Sequence, residues 1–217
     1  MENRDELERL AAGLKDLKRC FEQADRRHPL LAREADMRTA QDAWSRAPVY
    51  SAAPFGIERE YRRSPGRLLG KAPKRLAASL CSRLDGMQRV VCIHDYVSDK
   101  GARYEEYWEH GLNTIRTTLY DYYEPANNVI NVQTVVLEDG KPQAFLRYAR
   151  AGTLVEIYRY GEHGVATIFS RALEHAAPAA RAIFTRDDIA YDGAAKVNRI
   201  VRTWENGVCE QIFPKSG

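Results

Sequence analysis

Cys92-Ile93-His94-Asp95 is the densest group of metal-ligating and proton-handling side chains in the chain. In a strand, alternate side chains share a face, so Cys92 and His94 would point together, with His110 approaching across a hairpin. Zinc needs three or four converging ligands, and no H-x-x-x-H or H-E-x-x-H spacing supplies them. No metal and no cofactor is therefore expected. Glu105, Glu106 and Glu109 offer carboxylates for acid–base hydrolysis. Adjacent strand residues face opposite ways, however, so Glu105 and Glu106 cannot act as a pair. His110 and His163 each stand directly before a glycine, which suits a turn better than a general base. There is no Gly-x-Ser-x-Gly elbow, and no Cys, His and Asn set in a recognised local pattern. A hydrolase built on His94, Asp95 and His110 is the catalytic alternative; the expectation is that the chain is not an enzyme.

Surface chemistry is the stronger signal. Arg116, Thr118 and Tyr120 alternate along one run, and Glu156, Tyr158 and Tyr160 along another, with Arg147 between them in sequence. The opposite alternations, Ile115-Thr117-Leu119 and Val155-Ile157, read as core. One apolar face and one face of Tyr, Arg, Thr and Glu is the composition that recognition surfaces favour, although tyrosine also suits strand positions by propensity alone. Arg147, Tyr158, Tyr160, Arg116 and Tyr120 are the candidate partner-binding residues. Of these, Arg147, Tyr158 and Tyr160 are expected to face solvent in the free protein.

The elements that would carry these residues are short. Ten of the 12 tyrosines lie beyond residue 85, where β-branched and aromatic runs alternate with glycine turns. Strands are predicted near 88–97, 102–109, 112–121, 129–138, 142–150, 153–160, 164–173, 182–191, 195–204 and 207–213. No crossover helix fits between them, so neighbours should be antiparallel. The fold class expected is α+β: an N-terminal helical hairpin plus a long up-and-down β-meander, as a curved open sheet or half-barrel. Within the meander, Trp108-Glu109-His110-Gly111, Glu162-His163-Gly164 and Trp204-Glu205-Asn206-Gly207 each feed an apolar strand, and Tyr120-Asp121 and Tyr191-Asp192 add Tyr-Asp pairs at strand ends. Over roughly residues 104–213 this pattern resembles the YD (Rhs-type) repeat hairpins of bacterial polymorphic toxin systems and the Tyr-rich meander proteins among their immunity partners. The regular Tyr-Asp-x-x-Gly-Arg period of the repeats is missing. The resemblance implies an immunity protein that masks a cognate toxin domain.

The N-terminal segment reads as helix. Leu7, Leu10, Leu14, Leu17, Phe21 and Ala24 recur at spacings of three and four, an apolar seam on a charged helix. His28-Pro29 should end it, because proline disfavours a helical residue before it. A second helix is predicted from Leu30 to about Arg46. The pair would cover the sheet or, alternatively, form a homodimer through the N-terminal helix. A loop follows to Gly70, then a short helix over Pro73–Leu84. The expected organisation is a helical hairpin at 1–47, a basic loop and helix connector at 48–86 and the meander at 87–213.

Of 33 bases and 30 acids, seven bases and no acid fall in residues 61–84. That segment is the basis of a second reading, a single-stranded nucleic-acid binder; the acidic balance of the meander counts against nucleic acid. No apolar run reaches the roughly 18 residues of a membrane span, so no membrane association is expected. Met1-Glu2-Asn3-Arg4-Asp5-Glu6 has no apolar signal region. Four scattered cysteines fit free thiols. Together these features point to a cytoplasmic setting.

Overall fold

The apolar seam of the first helix does not stop at Pro29. Positions 14, 17, 21, 24, 28, 31 and 35 continue the same three-four spacing, with His28 in the seam. In the computed structural model, which describes residues 3–121, 128–175 and 181–214, α1 (Arg4–Ala11) is followed at Ala12-Gly13 by α2 (Leu14–Arg38), and α2 runs straight through Pro29. Met1 and Glu2 of the opening segment lie outside the described residues. Proline in a helix interior costs about 3 kcal/mol. Here Leu14, Leu17 and Ala24 before it, and Leu31 and Ala35 after it, are buried on one surface of the sheet. Packing of an amphipathic face outweighs that local penalty.

Two further elements depart from expectation. Gln41–Ser45 is a strand, β1, rather than the end of a second helix. Ser79–Leu84 is a strand, β3, rather than a helix. Leu76, Leu80 and Leu84 are four apart, and four is also a multiple of two, so their spacing does not separate helix from strand. β1 pairs with β3 and with the two-residue β2 (Leu68–Leu69).

The ten predicted strands are all present. They are β4 (Val90–Tyr96), β5 (Arg103–His110), β6 (Thr114–Asp121), β7 (Asn128–Glu138), β8 (Lys141–Ala149), β9 (Gly152–Gly161), β10 (Gly164–Glu174), β11 (Ile183–Tyr191), β12 (Val197–Trp204) and β13 (Cys209–Phe213). The result is an α+β fold with one open, antiparallel, 13-stranded sheet in the order β13 to β3 without crossover, then β1 and β2.

β3 and β12 are nine positions apart in this order, roughly 43 Å in a flat sheet at about 4.8 Å per strand. Leu80 of β3 and Trp204 of β12 nevertheless line one cavity, so the sheet curls around it. The sheet therefore has two unlike faces. The helix face carries α1 and α2 on Cys92, Tyr107, Tyr120, Val132, Leu146 and Ile157. The opposite face curls over the segment between β1 and β2, with Val135, Phe145, Tyr158, Ile168 and Ile200 as its apolar floor.

Candidate functional site

The segment joining β1 to β2 forms a strap. Connections of more than about 12–15 residues are uncommon in compact folds and usually functional, and this one runs over 46–67. Its base is closed where the Gly66 N–H donates to the Pro48 carbonyl at 2.7 Å. A Cβ on residue 66 would lie 2.6 Å from the Ala47 carbonyl oxygen, so only glycine allows that approach. The strap packs Ala52, Ala53 and Phe55 on the apolar floor and carries one short helix, α3 (Gly56–Tyr61), at its tip.

Arg59 of α3 reaches the sheet. Its Nη1 and Nη2 donate to the two Glu156 carboxylate oxygens at 3.0 and 2.7 Å, and its Nε donates to Asp187 at 2.7 Å. Arg202 of β12 grips Asp187 through two further bonds of 2.7 and 2.8 Å. Tyr158 donates to Glu156 at 2.9 Å, and the Ser170 hydroxyl lies 3.3 Å from the same carboxylate. Glu156 and Asp187 are almost wholly inaccessible, at 1% and 0%. Burial works against the charge on Arg59, yet Glu156 and Asp187 hold its pKa well above the ordinary value. Burial likewise opposes ionisation of Asp187, but the bonds and charges of Arg202 and Arg59 hold its pKa below the ordinary value. Two bases and two acids thus neutralise one another at one end of the strap face. Nearby, Arg147 lies 3.5 Å from Glu60, and Arg62 pairs with Glu210 at 2.7 Å.

Between strap and sheet lies a cavity of about 680 Å³, within the size range of small-molecule sites. The end away from Arg59 is built from β3 to β6 and the strap, with Leu80, Ile93, Leu119, Tyr50, Tyr61 and Tyr104 in its lining. Asp95 and Glu106 line this end too. Ile93 pairs with Glu106 and Asp95 with Tyr104, so the two acids are diagonal neighbours on one face, about 7–8 Å apart along the strands. Neither is paired with a cation among the described residues. Burial raises the pKa of both. Burial, together with Glu60, Asp95 and Glu106, also raises that of Tyr61. Beside Glu106, the Trp108 indole and the Thr117 hydroxyl favour its ionised form, and both are buried without a hydrogen bond of good geometry.

With this geometry in view, no family model, no curated protein and no solved structure matches the chain.

The helix face carries a second charged cluster, in which the fold supplies the partners of the acid. Glu105 lies 2.8 Å from His28 Nε2 of α2, accepts from Tyr107 at 2.6 Å and pairs with Arg103 at 2.6 Å. His94 Nε2 is 3.9 Å away. Although burial pushes upward, these partners hold the Glu105 pKa down at about 2. Burial and Arg103 push that of His94 down to about 4. This cluster joins α2 to the sheet.

The sequence-derived residues separate between the two faces. Cys92 and His94 share the helix face with Glu105. His110, five residues from Glu105, lies on the other face and bonds the Val90 carbonyl at 2.7 Å. Asp95 faces the cavity, so His94, Asp95 and His110 do not converge. Among the described residues no group of three or more His, Cys, Asp or Glu could hold a metal. Register divides the partner-binding candidates as well. Arg116 pairs with Thr134, and Thr134 with Leu146, on the helix face. Tyr120 is buried there, donating to the Ala24 carbonyl at 2.7 Å. Arg147, Tyr158 and Tyr160 lie on the strap face. Tyr158 does not face solvent, being 1% exposed beside Glu156; Tyr160 is 39% exposed and donates to the Pro142 carbonyl. Arg147 lines the cavity.

Sequence reasoning missed Arg59, which sits in Glu58-Arg59-Glu60 and reads as a solvated triplet. A usable signal was present in the strands. Glu156 has Phe145 and Ser170 as its cross-strand neighbours, so its countercharge had to come from outside the ladder.

Proposed function

We propose that the protein is a non-enzymatic binding module whose ligand enters the cavity between the strap and the curled sheet. The observation that carries this reading is the cavity itself: preformed, mixed apolar and polar, and roofed by a long loop anchored at both its base and its tip. Nucleophilic chemistry has no matching constellation among the described lining residues, and the arginines that line the cavity pair with carboxylates of the fold. The neutral dye Nile red tests the reading. One molecule should bind per protein with enhanced fluorescence, and Ala172→Trp, which fills the cavity from β10, should abolish the signal while the protein still melts cooperatively. Absence of binding, or equal binding by the filled variant, would refute it.

A second reading is favoured by a separate surface. Arg63, Arg67, Lys71, Lys74 and Arg75 are exposed around the exposed edge pair Leu68 and Leu69, and a partner with an acidic face would suit them. The resemblance of the meander to immunity proteins makes a cytoplasmic protein that masks a bacterial toxin domain the specific form of this reading. Masking requires about one molecule per toxin molecule, and protection at catalytic ratios would exclude it. The alternative of homodimerisation through α1 and α2 finds less support, since their seam is buried against the protein's own sheet.

A further inference from the structure

Three charged regions compete for attention: the Arg59 network, the Glu105 cluster and the acid end of the cavity. In the first two, acids and bases are matched within the fold. At the third, Asp95 and Glu106 face a cavity and neither is paired with a cation among the described residues, and the Arg147 guanidinium is directed to Glu60. Two buried polar groups, Thr117 Oγ1 and Trp108 Nε1, lie beside Glu106 without a well-formed hydrogen bond. Tyr50, Tyr61 and Tyr104 line the same end together with Leu80, Ile93 and Leu119. Carboxylates supply the countercharge of an ammonium group, aromatic faces attract a cation, and apolar walls accept a hydrocarbon body.

We infer that the cavity binds a small organic cation, an alkyl- or arylalkyl-ammonium, with its head between Asp95 and Glu106 and its apolar body along Leu80, Ile93 and Leu119. This assignment rests on the cavity being the binding site. It explains why acids stand opposite apolar and aromatic residues where a neutral ligand would need none. It also explains why, among the described residues, no cation pairs with either acid: the site's positive charge arrives with the ligand. Anions are disfavoured, because they would meet two carboxylates at one end and arginines already engaged at the other.

The test is displacement of Nile red by a matched series of octylammonium, octanol and octanoate, run on the full chain. Octylammonium should displace the dye at a concentration at least about 10-fold lower than octanol, and octanoate should be the weakest. Asp95→Asn with Glu106→Gln should remove the ammonium advantage while Nile red itself still binds. Nα-acetyl-lysine N-methylamide carries the same head on a peptide and should compete at least about 10-fold less well than octylammonium. Equal competition by that compound would transfer the site to a lysine side chain of a partner and overturn the small-amine assignment. Nile red binding with no ammonium preference, or with one that survives in the double variant, overturns the cation assignment and leaves the cavity reading standing. Failure of the dye to bind at all removes both.

Discussion

Glu105 and Glu106 are consecutive residues of one strand, and they live in opposite worlds. Glu105 points to the helix face, where His28, Tyr107 and Arg103 hold it ionised. Glu106 points under the strap, where burial raises its pKa and no cation among the described residues answers it. Both are carboxyls removed from bulk water; what differs is whether the fold supplies the compensating charge. A buried acid that the fold neutralises is a joint between elements. One that it leaves unneutralised is a place for something else to bind.

The largest expected effect comes from breaking a joint on the strap face. Arg59→Ala strands Glu156 without its cation and removes one of two from Asp187, and loss of one partner from a buried ion pair costs about 3–5 kcal/mol. Urea denaturation should show a loss of that size. A loss below about 1 kcal/mol would mean that the strap is not held by this network. Tyr158→Ala should follow at about 3 kcal/mol, because its ring is buried in the apolar floor. Tyr160→Ala, two residues along on the same face but part-exposed, should stay within about 0.5 kcal/mol. Equal melting midpoints for the two would contradict the burial that separates them.

The smallest effects sharpen the comparison of the two glutamates. Glu105, held at about 2 instead of 4.5, binds its proton less readily when folded, so it contributes about 2–3 kcal/mol that is present above pH ~4.5 and lost as pH falls toward ~2. His94, lowered from 6.5 to about 4, acts in the same direction: stability falls as pH drops from about 6.5 to 4. Glu106 has the opposite sign. Its pKa is raised, so in the window above the unfolded value its contribution falls as pH rises. At neutral pH, Glu105→Gln should therefore destabilise by about 2 kcal/mol, whereas Glu106→Gln should be neutral or stabilise by at most about 1 kcal/mol. Measured stability changes of the same sign for both would dissolve the distinction between joint and site.

Most of the sheet was legible in the sequence because the turns announce themselves. Glycines follow Asp139, His163 and Asn206, and alternation resumes after each. The course of α2 through Pro29 was legible in the continued seam spacing, but the local rule for proline conceals it. β1 and β3 were not legible: Gln41–Ser45 has no strand neighbour in sequence, and the leucine spacing before Leu84 suits both periods. The site was the least legible part. Tyr158 and Tyr120 look alike in an alternating pattern, and only the curl of the sheet and the placement of α2 decide that both are interior. Asp95 gains its meaning from Tyr104, opposite it in the ladder, and from Tyr61, which only a loop crossing the sheet brings near.

That crossing also bears on the order in which the molecule comes together. From β3 to β13 every strand pairs with its immediate neighbour in sequence, so the meander grows through local closures of small entropic cost. The strap obeys a different arithmetic, because Arg59 must find Glu156 and Asp187 across 97 and 128 residues of chain. Neither carboxylate is in place until β9 and β11 have formed, so closure of the strap follows those strands. The roof of the cavity is then the wall that only a nearly complete sheet can hold, tied down by Arg59 at its tip, by the Arg62–Glu210 pair beside it and by Ala52, Ala53 and Phe55 on the floor.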